Sequence, residues 1–168
     1  MKKKATGLIW FVLLIALDQI TKILAKTNLE GSSGYDLIKG VFQFFYHENR
    51  GMAFGMLQDR IWLFVVFTLI ILIGIAFVYI KLPETKHYQP VHWILIFLAA
   101  GAVGNCIDRV FRNYVVDFLY FELIDFPIFN VADCYVTVSC VLLILLFLFY
   151  YKDEDLNFLS KKKDQTIS

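Results

Sequence analysis

The sequence predicts an all-α membrane protein, a four-transmembrane-helix bundle with a small extracytoplasmic β-sheet between its first two helices. Of its 168 residues, 59% are hydrophobic and 17% are aromatic, and the mean hydropathy is +0.64. Soluble domains contain only about 45–50% apolar residues. The apolar residues also fall into four long runs, and one sizeable polar insert separates the first run from the second. We therefore expect residues 1–168 to form a single integral membrane domain.

The first apolar run predicts a transmembrane helix over about residues 7–25. Roughly 20 helical residues, rising 1.5 Å each, cross the hydrocarbon core of a bilayer. A lysine-rich start before an apolar run is also typical of a cleaved signal peptide. However, Asp18, Gln19 and Lys22 stand where a small-residue cleavage site would be expected. We expect a retained helix, with Asp18 and Lys22 paired one turn apart on one face.

The polar insert, residues 28–60, predicts the small sheet. Residues 31–34 read Gly-Ser-Ser-Gly, which is a turn signal. Residues 41–47 are rich in strand-forming side chains but alternate imperfectly between apolar and polar. The alternative is an ordinary connecting loop. We expect an antiparallel sheet at the membrane surface, with its aromatic side chains in the interface.

Three further runs predict the remaining helices, at about residues 61–80, 91–110 and 132–151. The first of these contains no charged residue. The second contains Gly101 and Gly104, and such small residues allow helix backbones to approach closely in lipid. Residues 152–168 are polar and lysine-rich, which predicts a disordered tail after the last span.

An even number of spans places both termini on one side of the membrane. That side also collects the larger share of the lysine and arginine residues, which favours cytoplasmic termini. The polar clusters of the helix ends and of the insert then meet at the outer face. We expect these remote segments to build one site at one membrane surface. The net charge of +1 indicates no nucleic-acid partner.

Two of the carboxylates near the helix ends differ from the others in their neighbours. Asp117 and Asp133 are flanked by apolar residues and have no adjacent cation. Asp18 has Lys22 one turn away, and other acidic residues of the region also have cationic neighbours. Removal from water raises the pKa of a carboxyl group, and two carboxyl groups that meet hold one proton between them. Such a pair can activate water against a carbonyl group, as in aspartic proteases.

Structural roles explain the same residues on spacing alone. Asn130 is suited to be the N-cap of the fourth helix, with Asp133 in its first turn, where the helix dipole favours a negative charge. Asp117 is also compatible with an ordinary loop carboxylate. Asp108 has Arg109 beside it and Asn105 three residues before it, which predicts an ionised structural group.

Other hydrolytic chemistries have no suitable residues in the sequence. It contains no Gly-x-Ser-x-Gly or His-Glu-x-x-His motif. The three cysteines lie in or beside apolar runs without metal-ligand spacing, and we expect them to be small buried hydrophobic residues. We therefore expect neither a metal nor another cofactor.

Five short motifs occur in the order found in one known family. They are Asp18-Gln19-x-Thr21-Lys22, Asn49-x-Gly51-x-Ala53-Phe54, Gly104-Asn105-x-x-Asp108-Arg109, Val115-Val116-Asp117-Phe118 and Phe129-Asn130-x-Ala132-Asp133. With these motifs on four predicted spans, the chain resembles the bacterial lipoprotein signal peptidases (signal peptidase II) from Asp18 to the fourth span. Two small departures are Met52, where alanine is common, and Cys134, where serine is common.

The resemblance implies an aspartic peptidase with Asp117 and Asp133 as the catalytic pair. Substrate-contacting and supporting roles fall to a second group of residues: Asn49, Gly51, Asn105, Arg109 and Asn130. Bracing roles fall to Asp18, Lys22 and Asp108. The fold implied is four membrane helices with an extracytoplasmic β-cradle and a short helix near the site.

The implied substrates are prolipoproteins whose cysteine carries diacylglycerol, cut immediately before that cysteine in the bacterial cytoplasmic membrane. Membrane lipid and globomycin-type inhibitors are the other implied partners, and we expect a monomer. We also expect the aromatic-rich segment 111–128 to shield the pair from bulk water. The rival interpretations are a transporter or channel subunit, whose polar residues would extend through the spans, and a non-catalytic scaffold, which would tolerate Asp-to-Asn changes.

Overall fold

The fold class predicted from the sequence is confirmed. The computed structural model describes residues 2–51, 61–156 and 158. Its elements in chain order are α1 (Lys2–Leu29), β1 (Tyr35–Ile38), β2 (Phe42–Asn49), α2 (Ile61–Lys81), α3 (Gln89–Arg112), β3 (Val115–Tyr120), a 3₁₀ helix (Glu122–Ile124), α4 (Val131–Phe149) and a second 3₁₀ helix (Asp153–Leu156). Within these described ranges, four helices are long and apolar enough to cross a membrane.

The helix ends differ by a few residues from the predicted ends. α1 continues to Leu29 rather than residue 25, and in its last turn the side chains of Thr27 and Asn28 donate to the carbonyl groups of Ile23 and Leu24. α3 is longer than predicted at both ends, and α4 spans Val131–Phe149 rather than 132–151. The predictions for residues 52–60, including Met52 and the end of the second motif, lie outside the described residues. So does most of the predicted tail.

The sheet contains a strand that the sequence did not predict. β1 pairs with β2 inside the insert, and β2 pairs antiparallel with β3, which follows α3. The chain reverses direction after α3 at Asn113, whose φ of 62° is left-handed. The β2–β3 register then sets Asn49 opposite Val115 and His47 opposite Asp117. Asp117 is therefore on a strand, not in a loop.

α3 is the helix against which the other three pack. Two of its glycines allow the close approach. A Cβ atom on Gly104 would lie 2.5 Å from Oδ2 of Asp18 on α1, and one on Gly101 would lie 2.5 Å from the carbonyl oxygen of Ala132 on α4. Carbon and oxygen atoms without a bond do not approach this closely, so both positions require glycine. The ends of α1, α3 and α4 consequently meet beneath the sheet.

A small apolar core joins the sheet to the bundle. Ala25, Tyr114, Val116 and Phe118 are buried together there. The first four residues of β3 are buried on both faces of the strand, which explains why Val115 to Phe118 show no apolar–polar alternation. Any polar side chain on this part of β3 is therefore held away from water.

Candidate active site

The first residues of α4 form a capping box. Asn130 is the N-cap, and its Oδ1 accepts the backbone N–H of Asp133 at 3.0 Å. In return, Oδ2 of Asp133 accepts the backbone N–H of Asn130 at 3.1 Å. Asp18 of α1 satisfies another first-turn amide, that of Ala132, at 3.0 Å. The capping role predicted for Asn130 and Asp133 is thus present, and it leaves Oδ1 of Asp133 available for other contacts.

Asp117 of β3 lies beside this helix start. Its side chain is only 1% exposed. Its Oδ1 accepts Nδ2 of Asn130 at 2.6 Å, and its Oδ2 accepts Nδ2 of Asn49 at 2.9 Å. Asp133 receives a matching amide from α3, because Nδ2 of Asn105 donates to its Oδ1 at 2.7 Å. Asn130 therefore links the two carboxylates, which come from a strand and from a helix.

Groups that can only donate fix the orientation of the three asparagine amides. The carbonyl oxygen of Asn49 accepts the backbone N–H of Gly51 at 3.1 Å, and that of Asn130 accepts the N–H of Asp133. Nζ of Lys22 donates to Oδ1 of Asn105 at 2.8 Å. Because neither a backbone N–H nor an ammonium group can accept a hydrogen bond, each NH₂ group is directed at a carboxylate. The two carboxyl groups are thus surrounded by donors.

A buried ion cluster supports the site from below; we use this name for Asp18, Lys22, Asp108 and Arg112. Nζ of Lys22 lies 2.9 Å from Oδ2 of Asp18 and 3.2 Å from Oδ2 of Asp108, and the side chains of all three are fully buried. Arg112 pairs with Asp108 at 2.6 Å. Oδ2 of Asp108 also accepts the backbone N–H of Val116 at 3.1 Å, which ties β3 to α3. The cluster contains two positive and two negative groups and is therefore neutral.

Arg112 is the functional-site neighbour that the sequence reasoning missed. The pairing expected for Asp108 was with the adjacent Arg109. On a helix, however, neighbours in sequence point in directions about 100° apart, whereas residues four apart share a face. Asp108 and Arg112 are four apart, and that spacing is the signal that identifies the pair. Arg109 instead lies over the ring of Phe64 on α2, 5.0 Å from its centre.

A cavity of about 910 Å³ opens onto the two carboxylates. Asp117 and Asp133 both line it, together with Asn49, Gly51 and Arg109. The rest of the wall is mostly apolar and comes from α2, from the segment before α4, and from α4 itself: Phe64, Ile124, Phe126, Pro127, Ile128, Phe129, Cys134 and Val138. The cavity therefore combines a polar end with a large apolar surface.

The aromatic residues predicted to shield the pair divide into two groups. Phe118 lies in the core beneath the sheet, and the side chain of Phe111 is 79% exposed, so neither covers the two carboxyl groups. Phe126 and Phe129 line the cavity and pack edge-to-face against each other, with ring centres 5.8 Å apart. The expectation is therefore wrong for Phe118 and Phe111. It is retained for the two residues at the cavity.

Burial dominates the ionisation of Asp117. Removal from water, followed by the negative charge of Asp133, raises the pKa of Asp117 to about 7. The amide groups of Asn49 and Asn130 and the charge of Lys22 oppose this shift. A carboxyl group with this pKa is half protonated near neutral pH, so it can both give and take a proton there.

Comparisons with known proteins agree with the fold and with the motifs. A family model described as signal peptidase (SPase) II matches residues 10–149. The lipoprotein signal peptidase of Brevibacillus brevis is 44% identical over 140 residues, which cover 81% of this chain and 93% of that protein. The lipoprotein signal peptidase of Streptococcus thermophilus is 42% identical over 145 residues, covering 84% and 90%.

Solved structures support the same relationship. A bacterial membrane enzyme, determined by the in meso method at 2.3 Å resolution, matches with a TM-score of 0.76 and 32% identity. That match covers 98% of this chain and 95% of the other. A second such structure, at 1.9 Å resolution, matches with a TM-score of 0.75. The chain therefore belongs to the signal peptidase II family, as a multi-pass bacterial membrane peptidase.

Proposed function

We propose that this protein is an aspartic endopeptidase that removes signal peptides from diacylglyceryl-modified prolipoproteins. The observation that carries the proposal is the joining of Asp117 and Asp133 through Asn130 at the polar end of one cavity. The cut falls immediately before the lipidated cysteine of the substrate. The termini of the enzyme are cytoplasmic, and the site faces the outer surface of the membrane.

The reaction uses the two carboxyl groups as a base and an acid. The ionised carboxylate takes a proton from a water molecule as the water oxygen bonds to the scissile carbonyl carbon. The protonated carboxyl gives its proton to the carbonyl oxygen, which produces a neutral tetrahedral diol. One carboxyl group then gives its proton to the leaving nitrogen while the other takes a proton from a hydroxyl of the diol. The C–N bond breaks, and a carboxylic acid and a free amine are released. The pair ends with one proton, as it began.

The shape of the cavity suits a lipid-bearing substrate. Phe64 and Val138 form part of an apolar wall on two membrane-spanning helices, so acyl chains can lie against it. Arg109 lines the same cavity, and its guanidinium group can donate to carbonyl oxygens of the substrate. Globomycin-type inhibitors would occupy the same space. The enzyme acts as a monomer.

Cleavage of a diacylglyceryl-modified prolipoprotein by purified protein in lipid tests the proposal. Asp117→Asn and Asp133→Asn keep the shape of each side chain and remove its charge, so each should lower kcat by roughly 10²–10⁴-fold. Asp36→Asn is the matched control, because Asp36 is exposed on β1, away from the cavity. Near-wild-type cleavage by either site variant would show that its carboxyl group is only a cap or a brace.

The site of cleavage is tested separately by mass spectrometry of the products. A new amino terminus on the lipidated cysteine supports the proposed position, and a terminus elsewhere contradicts it. An unmodified precursor serves as the second substrate. Equal cleavage of the modified and unmodified precursors would exclude recognition of the lipid. A non-catalytic scaffold would cleave neither.

A further inference from the structure

The two carboxyl groups of the candidate site have unequal surroundings. Asp133 is the third residue of α4 and accepts a backbone N–H from the helix start. The positive end of the helix dipole favours a negative charge at that position. Asp117 is on a strand and receives its hydrogen bonds from two neutral side-chain amides, those of Asn49 and Asn130. The surroundings therefore favour ionisation of Asp133 over ionisation of Asp117.

A line of contacts strengthens this difference. The ammonium group of Lys22 donates to the carbonyl oxygen of Asn105 at 2.8 Å, and the amide nitrogen of Asn105 donates to Asp133 at 2.7 Å. A carbonyl group that binds a cation is polarised, which makes the N–H groups of the same amide stronger donors. Lys22 also opposes turning of the amide, because the reverse orientation would place an NH₂ group against an ammonium, and Nδ2 of Asn130 donates to the same oxygen at 3.1 Å. Asn105 thus presents a fixed donor to Asp133.

We propose that Lys22 is a positioning residue that acts on Asp133 through Asn105, so that Asp133 is the ionised base and Asp117 the protonated acid of the pair. This inference rests on the proposed function and adds the assignment of the two roles. Without the ammonium group, the Asn105 amide loses its polarising cation and becomes a weaker donor to Asp133, and only the hydrogen bond from Asn130 holds its oxygen. Lys22 would then have a role beyond that of a structural counter-ion.

Other charged or titratable groups surround the pair on every element packed against it. They are Asp18 on α1, His47 on β2, Asp108 and Arg109 on α3, and Cys134 on α4. Arg109 attracts both carboxylates, and Asp133 more strongly than Asp117, so its charge also favours ionisation of Asp133. Asp18 and Asp108 are held in the buried ion cluster. The charge of Lys22 also acts on both carboxyl groups, but its hydrogen-bonded link through Asn105 leads to Asp133.

The pH dependence of kcat/KM for prolipoprotein cleavage tests the proposal with two variants that differ only at position 22. The first is Asp18→Asn, and the second combines Asp18→Asn with Lys22→Gln. The double variant leaves Asp108 paired with Arg112, so the buried ion cluster is neutral in it, whereas it carries one positive charge in Asp18→Asn. Loss of the ammonium should make the base harder to ionise. The fall of kcat/KM at low pH, here called the acidic limb, should therefore occur about one pH unit higher in the double variant than in Asp18→Asn.

At a pH on that limb, the double variant should cleave about tenfold more slowly than Asp18→Asn, and the difference should shrink as the pH rises towards neutrality. KM should stay nearly the same in both, because Lys22 is buried away from the substrate. A structural brace alone predicts a different outcome. A loss of activity that is equal at every pH, with an unmoved acidic limb, would overturn the proposal.

A second variant keeps the test decisive if the double variant does not fold. Asn105→Ala leaves the ion pairs of Lys22 with Asp18 and Asp108 in place and removes the link to Asp133, together with the oxygen that accepts Nδ2 of Asn130. The same upward displacement of the acidic limb is expected, and an unmoved limb rejects the relay. Cleavage retained by Asp117→Asn or Asp133→Asn would remove the proposed function and this inference together. If Asp117→Asn and Asp133→Asn are inactive but the acidic limb does not move in the Lys22 and Asn105 variants, the proposed function stands and only the role of Lys22 is rejected.

Discussion

At the scale of single residues, Asp133 has a structural role at the start of α4 and a proposed chemical role. One carboxylate oxygen caps α4 and the other accepts a hydrogen bond from Asn105. The capping interpretation and the catalytic interpretation of its sequence position are therefore compatible. The helix start fixes the side chain in one rotamer, and a fixed carboxylate is what a general base requires.

The two roles of Asp133 are separable by substitution. Asp133→Asn keeps an oxygen that can accept the backbone N–H of Asn130, whereas Asp133→Ala removes this half of the capping box and leaves the N-cap Asn130 in place. Loss of such a hydrogen bond costs about 1 kcal/mol. We expect both variants to be inactive and only the alanine variant to unfold at a clearly lower temperature, measured by thermal denaturation in detergent. Equal melting temperatures would mean that the cap contributes nothing to stability.

At the scale of elements, the close contact of α1, α3 and α4 depends on Gly104. A methyl group at this position would meet Oδ2 of Asp18, which also binds Lys22. Overpacking of this kind costs about 1–3 kcal/mol. Because the same displacement disturbs the buried ion cluster, Gly104→Ala should lower both the melting temperature and the rate of cleavage.

Gly74→Ala is the matched control for Gly104→Ala. Gly74 is also a helical glycine, on α2, but a Cβ atom there would have no neighbour within 4 Å. Alanine favours helix over glycine by about 1 kcal/mol, so this variant should be as stable as the wild type or slightly more stable. A similar loss of stability in both variants would indicate a general effect of helix glycines.

The sequence predicts the helices better than the sheet, for a physical reason. A span of lipid-facing helix requires a long apolar run, and α2 shows this most clearly because none of its residues is buried by the protein. β3 is only six residues long and its first four are buried on both faces, so neither its length nor its pattern separates it from a loop or a helix end. Its pairing with β2 depends on the turn at Asn113, which is a tertiary feature.

At the scale of the whole molecule, the site lowers the stability of the fold at neutral pH. The folded-state pKa of Asp117 is about 7, above the ordinary value of 3.8. Below the ordinary value the carboxyl group is neutral in both states and has no effect. As the pH rises from about 4 to 7, the Asp117 carboxyl group ionises in the unfolded chain but stays largely protonated in the folded protein. The unfolded state is therefore favoured. The loss of stability reaches at most about 4 kcal/mol above pH 7.

Asp117→Asn should therefore stabilise the protein in a pH-dependent way. We expect its melting temperature to exceed that of the wild type at pH 8, and the difference to shrink towards zero as the pH falls to about 4. Parallel melting curves across this range would contradict the expectation. Asp36→Asn provides the baseline for a carboxyl group on the surface. An inactive but more stable variant is a common result where a buried ionisable group serves catalysis.

The polar half of the candidate site could be selected from the sequence, because Asp117 and Asp133 have apolar flanks and no adjacent cation. The connection between them could not. It depends on Asn130 reaching a strand that follows another helix, and on Lys22 meeting Asn105 across 83 residues of chain. Such contacts result from the packing of α1 and α4 on α3. Local spacing carries no information about them.

One hydrogen bond joins the first membrane helix to the last, from the amide of Ala132 to the carboxylate of Asp18, 114 residues earlier. The ribosome delivers these two helices at opposite ends of synthesis. Until the final span is in the bilayer, the early carboxylate lacks this donor and the later aspartate of the pair is absent. If the proposed function holds, the site therefore cannot form before α4 has packed against α1, and a chain still lacking α4 is inactive.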